Sequence, residues 1–449
     1  MAIIAPFRAL RYDARRVPDL ARVLAPPYDV ISPAQRAVLA EHDRNVVHLD
    51  LPSPSLSGPG QGPGHGQGDD KYENARRQLD QWMADGTLRE DSQPAIYRYE
   101  QSFTFNDGAA SHSYTRQGFI ALILLSPFAD GVVLPHEHTL AGPKVDRFKL
   151  IKTTSAHFSQ VFALYRDPQG EAEAVLGSAT GDGPAVDVVT PDGCRHRLWP
   201  ITDPAVIARV RAVLAKKSVM IADGHHRYET MLAVRDAIRP GAAAPGASQA
   251  DFGPMFFARA EDPGLLVLPT HRMVSGLPEA ALANLLERCR PWFRVGSDEE
   301  SEPAALVARL RREGETTPTF AFKRAGQSGI TWLALRKDAD LARLGPPSLA
   351  RLDVSVLHGL ILEPLLGIGA RALAEQSHLS YSHDLGETLR RVASAAVQAA
   401  FILNPTKVAQ VLDACEAGFV LPQKSTYFEP KLATGLVMQK LRPAEPLPE

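Results

Sequence analysis

The sequence contains few cysteines and no long apolar run. Its three cysteines lie far apart and form no CxxC pair, so their spacing indicates neither a disulfide framework nor a zinc ribbon. No segment reaches the ~18 uncharged apolar residues of a membrane-spanning helix, and the N-terminus lacks the apolar core of a signal peptide. We therefore expect a cytoplasmic protein without membrane contacts.

The sequence also lacks an excess of charge of either sign. Its 49 Lys and Arg residues nearly balance its 51 Asp and Glu residues, and the formal net charge is -2. A near-neutral surface does not favour the phosphate backbone of DNA or RNA, so no nucleic-acid partner is expected. No GxxxxGK[ST] motif occurs either, and any nucleotide must therefore bind outside a P-loop.

The composition is typical of a soluble protein with more than one domain. Of the 449 residues, 45% are hydrophobic and 22% are charged. The periodicities predict an α/β (α+β) fold with a β-meander over residues 94–126, turning at Asn106-Asp107-Gly108, and two helices over 386–418. We divide the chain into an N-terminal segment of the core at 1–51, a flexible Gly/Pro-rich insertion at 52–70, a catalytic core at 71–275, an additional α/β lobe at 276–385, and a helical segment with a C-terminal clasp at 386–449.

One stretch, SVMIADGHHRYET at residues 218–230, predicts a buried strand, a tight turn and a helix. Asp223 suits a helix cap, and Gly224 allows the backbone to approach a ligand closely. The free N–H groups at a helix start, beside two imidazoles and a guanidinium, are suited to bind phosphate. The candidate phosphate-binding residues are Gly224, His225, His226 and Arg227.

Two further stretches combine many polar groups. The loop at 134–147 carries mixed charges between Pro135 and Pro143, and its His136-Glu137-His138 run is not the helical HExxH zinc signature. The segment at 421–432 places lysines and hydroxyls between prolines, which suits a phosphate or a carboxylate. From these stretches we select His136, Glu137, Lys144, Asp146, Arg147, Lys424, Ser425 and Thr426 as candidate site residues.

Two residue pairs are weaker candidates. Tyr28 and Asp29 precede a helix that Ser32-Pro33 can cap and start. His271 and Arg272 follow a predicted strand and repeat the His-Arg pattern of the 218–230 stretch.

Four motifs resemble a bacterial family known as domain of unknown function 1015: APPYDVIS at 25–32, PHEHT at 135–139, DGHHRYET at 223–230 and KSTYF at 424–428. The resemblance covers nearly the whole chain. More distantly, the order of Pro-His-Glu, DGHHR and a C-terminal Lys-Ser-Thr segment is similar to that of the free serine kinases of the ParB/sulfiredoxin-like fold.

The kinase resemblance implies a ParB/sulfiredoxin-like nucleotide-binding core and roles for individual residues. Glu137 corresponds to the proposed general base, and Asp223 and His226 join it as candidate catalytic residues. The turn from Asp223 to Arg227 corresponds to the nucleotide-phosphate turn, and Thr426 corresponds to a residue of the substrate-side loop. His136, Lys424 and Ser425 are the other candidates for binding the substrate. Tyr427 stands where the kinases carry an arginine.

These patterns predict a small-molecule kinase that phosphorylates free L-serine or a similar hydroxylated metabolite from ATP or ADP. Mg²⁺ is the expected cofactor, held by the phosphates or by Asp223. Two alternatives stay open: a ParB-like nucleotide-dependent switch that binds DNA or protein, and a metal-dependent hydrolase built from His136, His138, His225 and His226. The sequence also allows a homo-oligomer.

Overall fold

The structure is a computed structural model that describes residues 1–53, 70–106, 110–137, 142–181, 183–239, 248–299, 302–374, 377–443 and 445–447. Most of the expected insertion at 52–70 lies outside these residues. His138 and the turn residues Asp107 and Gly108 lie outside them as well.

Strands and helices alternate along the described chain. The strands are β1 Ile4–Ala5, β2 Leu10–Tyr12, β3 Leu88–Glu90, β4 Ile96–Asn106, β5 Ser111–Leu124, β6 Val133–Leu134, β7 Ala156–His157, β8 Val161–Tyr165, β9 Val186–Val189, β10 Arg195–Ile201, β11 Val219–Asp223, β12 Phe252–Arg259, β13 Leu266–Val267, β14 His271–Val274, β15 Phe293–Asp298, β16 Thr319–Arg324, β17 Ile330–Leu335, β18 Leu379–Ser382, β19 Ala399–Ile402, β20 Phe428–Glu429 and β21 Gln439–Lys440. The α-helices are α1 Pro33–Ala40, α2 Val47–Asp50, α3 Asp70–Ala84, α4 Gly142–Thr154, α5 Glu171–Ser178, α6 Pro204–Leu214, α7 His225–Ile238, α8 Glu279–Ala283, α9 Leu285–Cys289, α10 Pro303–Gly314, α11 Pro347–Ala350, α12 Asp353–Leu357, α13 Glu363–Leu366, α14 Ala370–Ala374, α15 Leu385–Ala393 and α16 Val408–Glu416.

The larger sheet has nine strands in the order β6-β11-β8-β12-β5-β4-β10-β9, with β1 paired to β5. It is mixed, because β12 runs antiparallel to β5 but parallel to β8. The predicted β-meander is confirmed, since β4 and β5 pair over their length and β12 adds to β5. Strands β6 and β11 are parallel neighbours, so the chain that follows each of them emerges at the same edge.

The second sheet has six strands in the order β15-β17-β16-β19-β14-β18. It takes β14 from before residue 276 and β19 from after residue 385, whereas the sequence division places the additional lobe between those residues. The two helices predicted over 386–418, separated at Asn404-Pro405, are present as α15 and α16, but the first ends earlier than predicted, because Ala399–Ile402 is a strand between β14 and β16. All four side chains of β19 are buried, as expected for a central strand.

Residues 421–441, called the C-terminal segment below, contact both sheets and the N-terminal residues. Within it, β20 pairs with β13 and β21 pairs with β7. Thr434 exchanges two backbone hydrogen bonds with Ala25, and Met438 exchanges two with Leu10. The segment therefore joins parts of the chain that are far apart in sequence.

Local sequence explains why α1 and α3 form where they do. In α3 the buried residues Tyr72, Ala75, Leu79 and Trp82 form the predicted apolar face. Helix α1 begins at a capping box, in which Ser32 and Gln35 hydrogen-bond reciprocally, as the predicted Ser-Pro start requires.

The interior is shared between the two sheets. One continuous hydrophobic cluster includes Phe256 of the larger sheet and Phe401 of the second sheet. The mixed α/β class is thus confirmed, and the ParB/sulfiredoxin-like assignment stays a prediction. No helix among the described residues combines the length and the hydropathy needed to cross a bilayer.

Candidate functional site

The predicted strand, turn and helix are present as β11, Gly224 and α7. Gly224 has φ +94°, and a Cβ there would lie 2.9 Å from Cζ and Nε of Arg227, so the turn requires glycine. The prediction that Asp223 caps the helix is wrong, because Gly224 holds the N-cap position. Within the described chain no side chain caps α7, and its first N–H groups point out of the helix end.

Asp223 instead binds two cations. Its Oδ1 accepts a hydrogen bond from Nζ of Lys431 at 2.8 Å, and its Oδ2 accepts one from Nη2 of Arg227. Burial acts to raise the pKa of Asp223, but Lys431 and Arg227 outweigh it and hold the pKa well below its usual range. The turn therefore carries one carboxylate and two cations, a net positive charge beside a helix start.

His225 and His136 join the turn to the loop after β6. The backbone N–H of His136 donates to Nε2 of His225 at 3.2 Å, and the two rings meet edge to face with centroids 4.6 Å apart. Burial lowers the pKa of His225 to about 3, so this ring is neutral and its Nε2 is a hydrogen-bond acceptor. Nδ1 of His136 donates to the carbonyl of Ile221 at 2.6 Å, which fixes the loop against β11.

Glu137 is held by the C-terminal segment. Its Oε1 accepts a hydrogen bond from the backbone N–H of Ser425 at 2.8 Å and lies 3.5 Å from Nε2 of His136. Burial acts to raise the pKa of Glu137, but the hydrogen bond with His136 and the electrostatic interactions with His136, His225 and Lys424 outweigh it. The pKa falls to about 2, and the carboxylate is ionised at neutral pH.

The candidate substrate-side residues lie beside Glu137. Thr426 Oγ1 is 2.7 Å from Nε2 of His136, and Ser425 Oγ donates to the carbonyl of Pro422 at 2.5 Å. Lys424 is exposed and has φ +59°, a backbone conformation that non-glycine residues rarely adopt. The exposed Lys424 thus lies near a half-buried carboxylate.

The residues of α4 lie around the site rather than in it. Lys144 pairs with Glu229 of α7 at 2.9 Å. Asp146 pairs with Lys71 at 2.5 Å and with its neighbour Arg147 at 2.6 Å. These pairs fix α4 against α3 and α7.

Arg147 stabilises the surroundings of the site through two contacts. It binds Asp50 at 3.1 Å, and its guanidinium lies 4.3 Å from the ring centre of Tyr28. Burial raises the pKa of Tyr28 to about 12, so its hydroxyl is a donor at neutral pH. Asp29 is exposed and close enough to Arg227 and Lys431 to stabilise their charges.

His271 and Arg272 reach the site unequally. Nδ1 of His271 accepts the N–H of Leu403 at 3.3 Å inside the second sheet, so this histidine is structural. Arg272 donates to the carbonyl of Lys424 at 3.0 Å and thereby contacts the substrate-side residues.

The described residues do not form a metal centre. They contain no group of three or more His, Cys, Asp or Glu side chains placed to bind one ion. Both oxygens of Asp223 are already bound by cations, so this carboxylate does not fit the predicted magnesium role. His136 and His225 are likewise engaged with protein groups, which does not support the hydrolase alternative.

The sequence did not identify four residues that complete the site. Lys431 binds Asp223, and its Nζ lies 4.1 Å from the ring centre of Tyr427. Tyr427 stacks on His383 with centroids 3.6 Å apart, and Thr406 donates to the carbonyl of Ser425 at 2.7 Å. Lys431 and Tyr427 could have been found because they lie in the polar 421–432 stretch. His383 and Thr406 belong to no sequence motif that would have indicated them.

Three solved structures illustrate the likeness of this chain to known folds. A conserved hypothetical protein from Pyrococcus furiosus is 13% identical, with a TM-score of 0.32, and the match covers 66% of this chain and 87% of that one. A free serine kinase in complex with AMP is 13% identical, with a TM-score of 0.36, covering 70% and 89%. SbnI with a C-terminal truncation, from Staphylococcus aureus, is 10% identical, with a TM-score of 0.35, covering 71% and 86%. Values this low assign neither an activity nor a fold family.

Sequence comparison is more decisive. No curated protein matches the chain. The family model described as "Protein of unknown function (DUF1015)" matches residues 4–355 and confirms the predicted resemblance. The chain is a member of the DUF1015 family.

Proposed function

We propose that the protein is a small-molecule kinase that transfers a phosphoryl group from ATP or ADP to the hydroxyl of free L-serine or a similar hydroxylated metabolite. The observation that carries the proposal is the convergence of three groups in one hydrogen-bonded cluster. They are the ionised Glu137, the uncapped start of α7, and the cation pair of Arg227 and Lys431. The motif resemblance to free serine kinases supports the choice of acceptor.

The helix start is the proposed phosphate site. Its N–H groups and the positive end of the helix dipole favour an anion, and the net charge of Asp223, Arg227 and Lys431 is positive. Glycine is required at the N-cap, because a side chain at that position would collide with Arg227. Phosphoryl transfer depends mainly on such positioning and on compensating the charge of the transferred group.

Glu137 is the proposed acceptor of the hydroxyl proton. With a pKa of about 2 it is a weak base, but it is ionised over the whole physiological range. In a loose transition state the nucleophile loses its proton late, so a carboxylate that orients the hydroxyl is sufficient. The exposed ammonium of Lys424 beside it is suited to a carboxylate on the acceptor.

The first test is to incubate the purified protein with Mg²⁺ and ATP or ADP, with and without L-serine and a panel of hydroxylated metabolites. Mass spectrometry should detect a phosphorylated acceptor, O-phosphoserine in the case of serine. Glu137→Gln should reduce transfer by about 10²–10³-fold, the usual contribution of a positioned proton acceptor, while nucleotide binding is retained.

The matched control is Glu416→Gln, which removes a carboxylate from a surface ion pair with Arg166. It should leave transfer unchanged. Nucleotide consumption without any phosphorylated acceptor would contradict the kinase proposal and favour the nucleotide switch. Full transfer activity in the Glu137→Gln protein would remove Glu137 from the reaction.

A further inference from the structure

Arg272 is a buried cation that makes no direct ion pair with any described residue. It is 1% exposed, and among those residues no carboxylate lies within salt-bridge distance of its guanidinium. Its two Nη groups donate to the carbonyls of Thr270 and Lys424, and its Nε has no hydrogen-bond partner in the described part of the chain. Burying an uncompensated charge is costly, so a stable protein must compensate this guanidinium in another way.

Besides the ring of Tyr381, 5.6 Å from the guanidinium, a carboxylate lies one peptide away. Arg272 binds the carbonyl of Lys424, and Glu137 binds the N–H of Ser425, which are the two ends of the same peptide group. The dipole of that peptide is therefore aligned between a guanidinium at its oxygen and a carboxylate at its N–H. Each contact polarises the group and strengthens the other.

The electrostatics of Arg272 agree with this geometry. Burial lowers the pKa of Arg272 to about 10, and Tyr381 and Glu137 act against that shift. Arg272 lies opposite Tyr381 in the register of β14 and β18, so the second sheet fixes its position. The left-handed conformation of Lys424 is the local cost of presenting the peptide in this orientation.

We propose that Arg272 and Glu137 form an ion pair bridged by the Lys424–Ser425 peptide, and that Arg272 is the positioning residue that sets the Glu137 carboxylate. Through it the second sheet holds Glu137 and directs Lys424 towards the acceptor side. The bridge itself is independent of the reaction, whereas its effect on turnover rests on the proposed kinase function.

The bridge is tested by hydrogen exchange at the Ser425 amide, followed by mass spectrometry of peptides that cover residues 421–428. Arg272→Met and Glu137→Gln should each raise the exchange rate at this amide about tenfold, the effect expected for a hydrogen bond to a charged group. The double variant should exchange no faster than the faster single variant, because either change breaks the same unit. Multiplying effects, or unchanged exchange in Arg272→Met, would overturn the proposal.

Arg272→Lys carries the test if Arg272→Met does not fold. Lysine keeps the charge but lacks the planar fork that serves two carbonyls, so Ser425 exchange should still rise, though less. No rise would overturn the bridge. Arg116→Lys is the matched control, since Arg116 is also fully buried and donates to a carbonyl of the C-terminal segment, at Pro430. It should leave Ser425 exchange unchanged, and an equal rise would show a general loosening and overturn the proposal.

Kinetic measurements test the effect of the bridge on turnover separately from the bridge itself. In a protein that transfers phosphate, Arg272→Lys should lower kcat without raising the KM for nucleotide, and should have no further effect in the Glu137→Gln background. An effect confined to the nucleotide KM would contradict the positioning role. Absence of transfer in the unaltered protein would end the kinase proposal, while hydrogen exchange would still decide the bridge.

Discussion

Asp223 binds two cations that come from very different parts of the chain. Arg227 is four residues away on the same turn, and a local motif predicted it. Lys431 arrives from the C-terminal segment, and only the fold brings it to Oδ1 of Asp223. The structure thus adds a second cation where sequence motifs supplied one.

We expect Lys431→Met to weaken nucleotide binding about tenfold, because it removes one charge-assisted contact while keeping the apolar stem against Tyr427. Isothermal titration with ADP measures the change. Lys440→Met is the control, since this lysine lies in the same segment but donates to the carbonyl of Thr154. Equal losses in both variants would show that Lys431 acts only through folding.

The start of α7 depends on one glycine in a left-handed conformation. The side chain of any other residue at position 224 meets the guanidinium of Arg227, and the backbone is strained as well. At Gly193, in the turn between β9 and β10, φ is +83° and an added Cβ meets nothing within 4 Å. Comparing substitutions at Gly224 and Gly193 therefore separates the cost of backbone strain from the cost of a collision with Arg227.

We expect Gly224→Ala to lower the free energy of unfolding by more than the ~1–2 kcal/mol that Gly193→Ala should cost through backbone strain alone. Gly224→Ala should also weaken ADP binding, because Arg227 must move away from Asp223. Urea unfolding and calorimetry measure the two effects. Equal destabilisation by both substitutions, with unchanged binding, would contradict the described turn.

Across the whole molecule, six histidines with lowered pKa values make the fold sensitive to acid. Burial lowers the pKa values of His157, His225, His271 and His358 to about 3 and those of His196 and His383 to about 4. In the unfolded chain these rings titrate near ~6.5, so the unfolded state binds more protons below that pH. Their contribution to stability is therefore complete above pH ~6.5 and is lost as the pH falls towards 3.

We expect the free energy of unfolding to fall by up to about 1.4 kcal/mol per pH unit for each of these histidines, between pH ~6 and ~4. Urea unfolding at pH 7.5, 6.5, 5.5 and 4.5 gives the slope. The lowered pKa of Glu137 adds its loss only below pH ~4, whereas burial raises the pKa of Asp353 to about 7, so that carboxyl opposes the slope within this window. His157→Leu should reduce the slope by one histidine's share, up to about 1.4 kcal/mol per pH unit, and a flat profile from pH 7.5 to 5 would refute the neutral, buried state.

Local signals predicted those parts of the molecule that local physics determines. The capping box at Ser32, the buried face of α3 and the turn at Gly224 each follow from a few neighbouring residues. Strand β19 was missed because four apolar residues between two helical patterns fit either structure, and only its neighbours β14 and β16 decide.

Likewise, candidate site residues could be selected from the sequence only where they belong to local motifs. Glu137 and the 223–227 turn were identified from motifs, whereas Thr406 and His383 have no sequence pattern and reach the site only through the second sheet. Asp223 was misassigned as a helix cap because its partner Lys431 is more than two hundred residues away in the sequence.

The C-terminal segment also constrains the order of events during synthesis. The ribosome makes residues 421–441 after every strand that they contact, including the N-terminal residues Leu10 and Ala25. Until this segment has left the ribosome, the Ser425 N–H cannot bind Glu137 and Lys431 cannot pair with Asp223. Each copy should thus complete the candidate site only after both sheets have emerged from the ribosome.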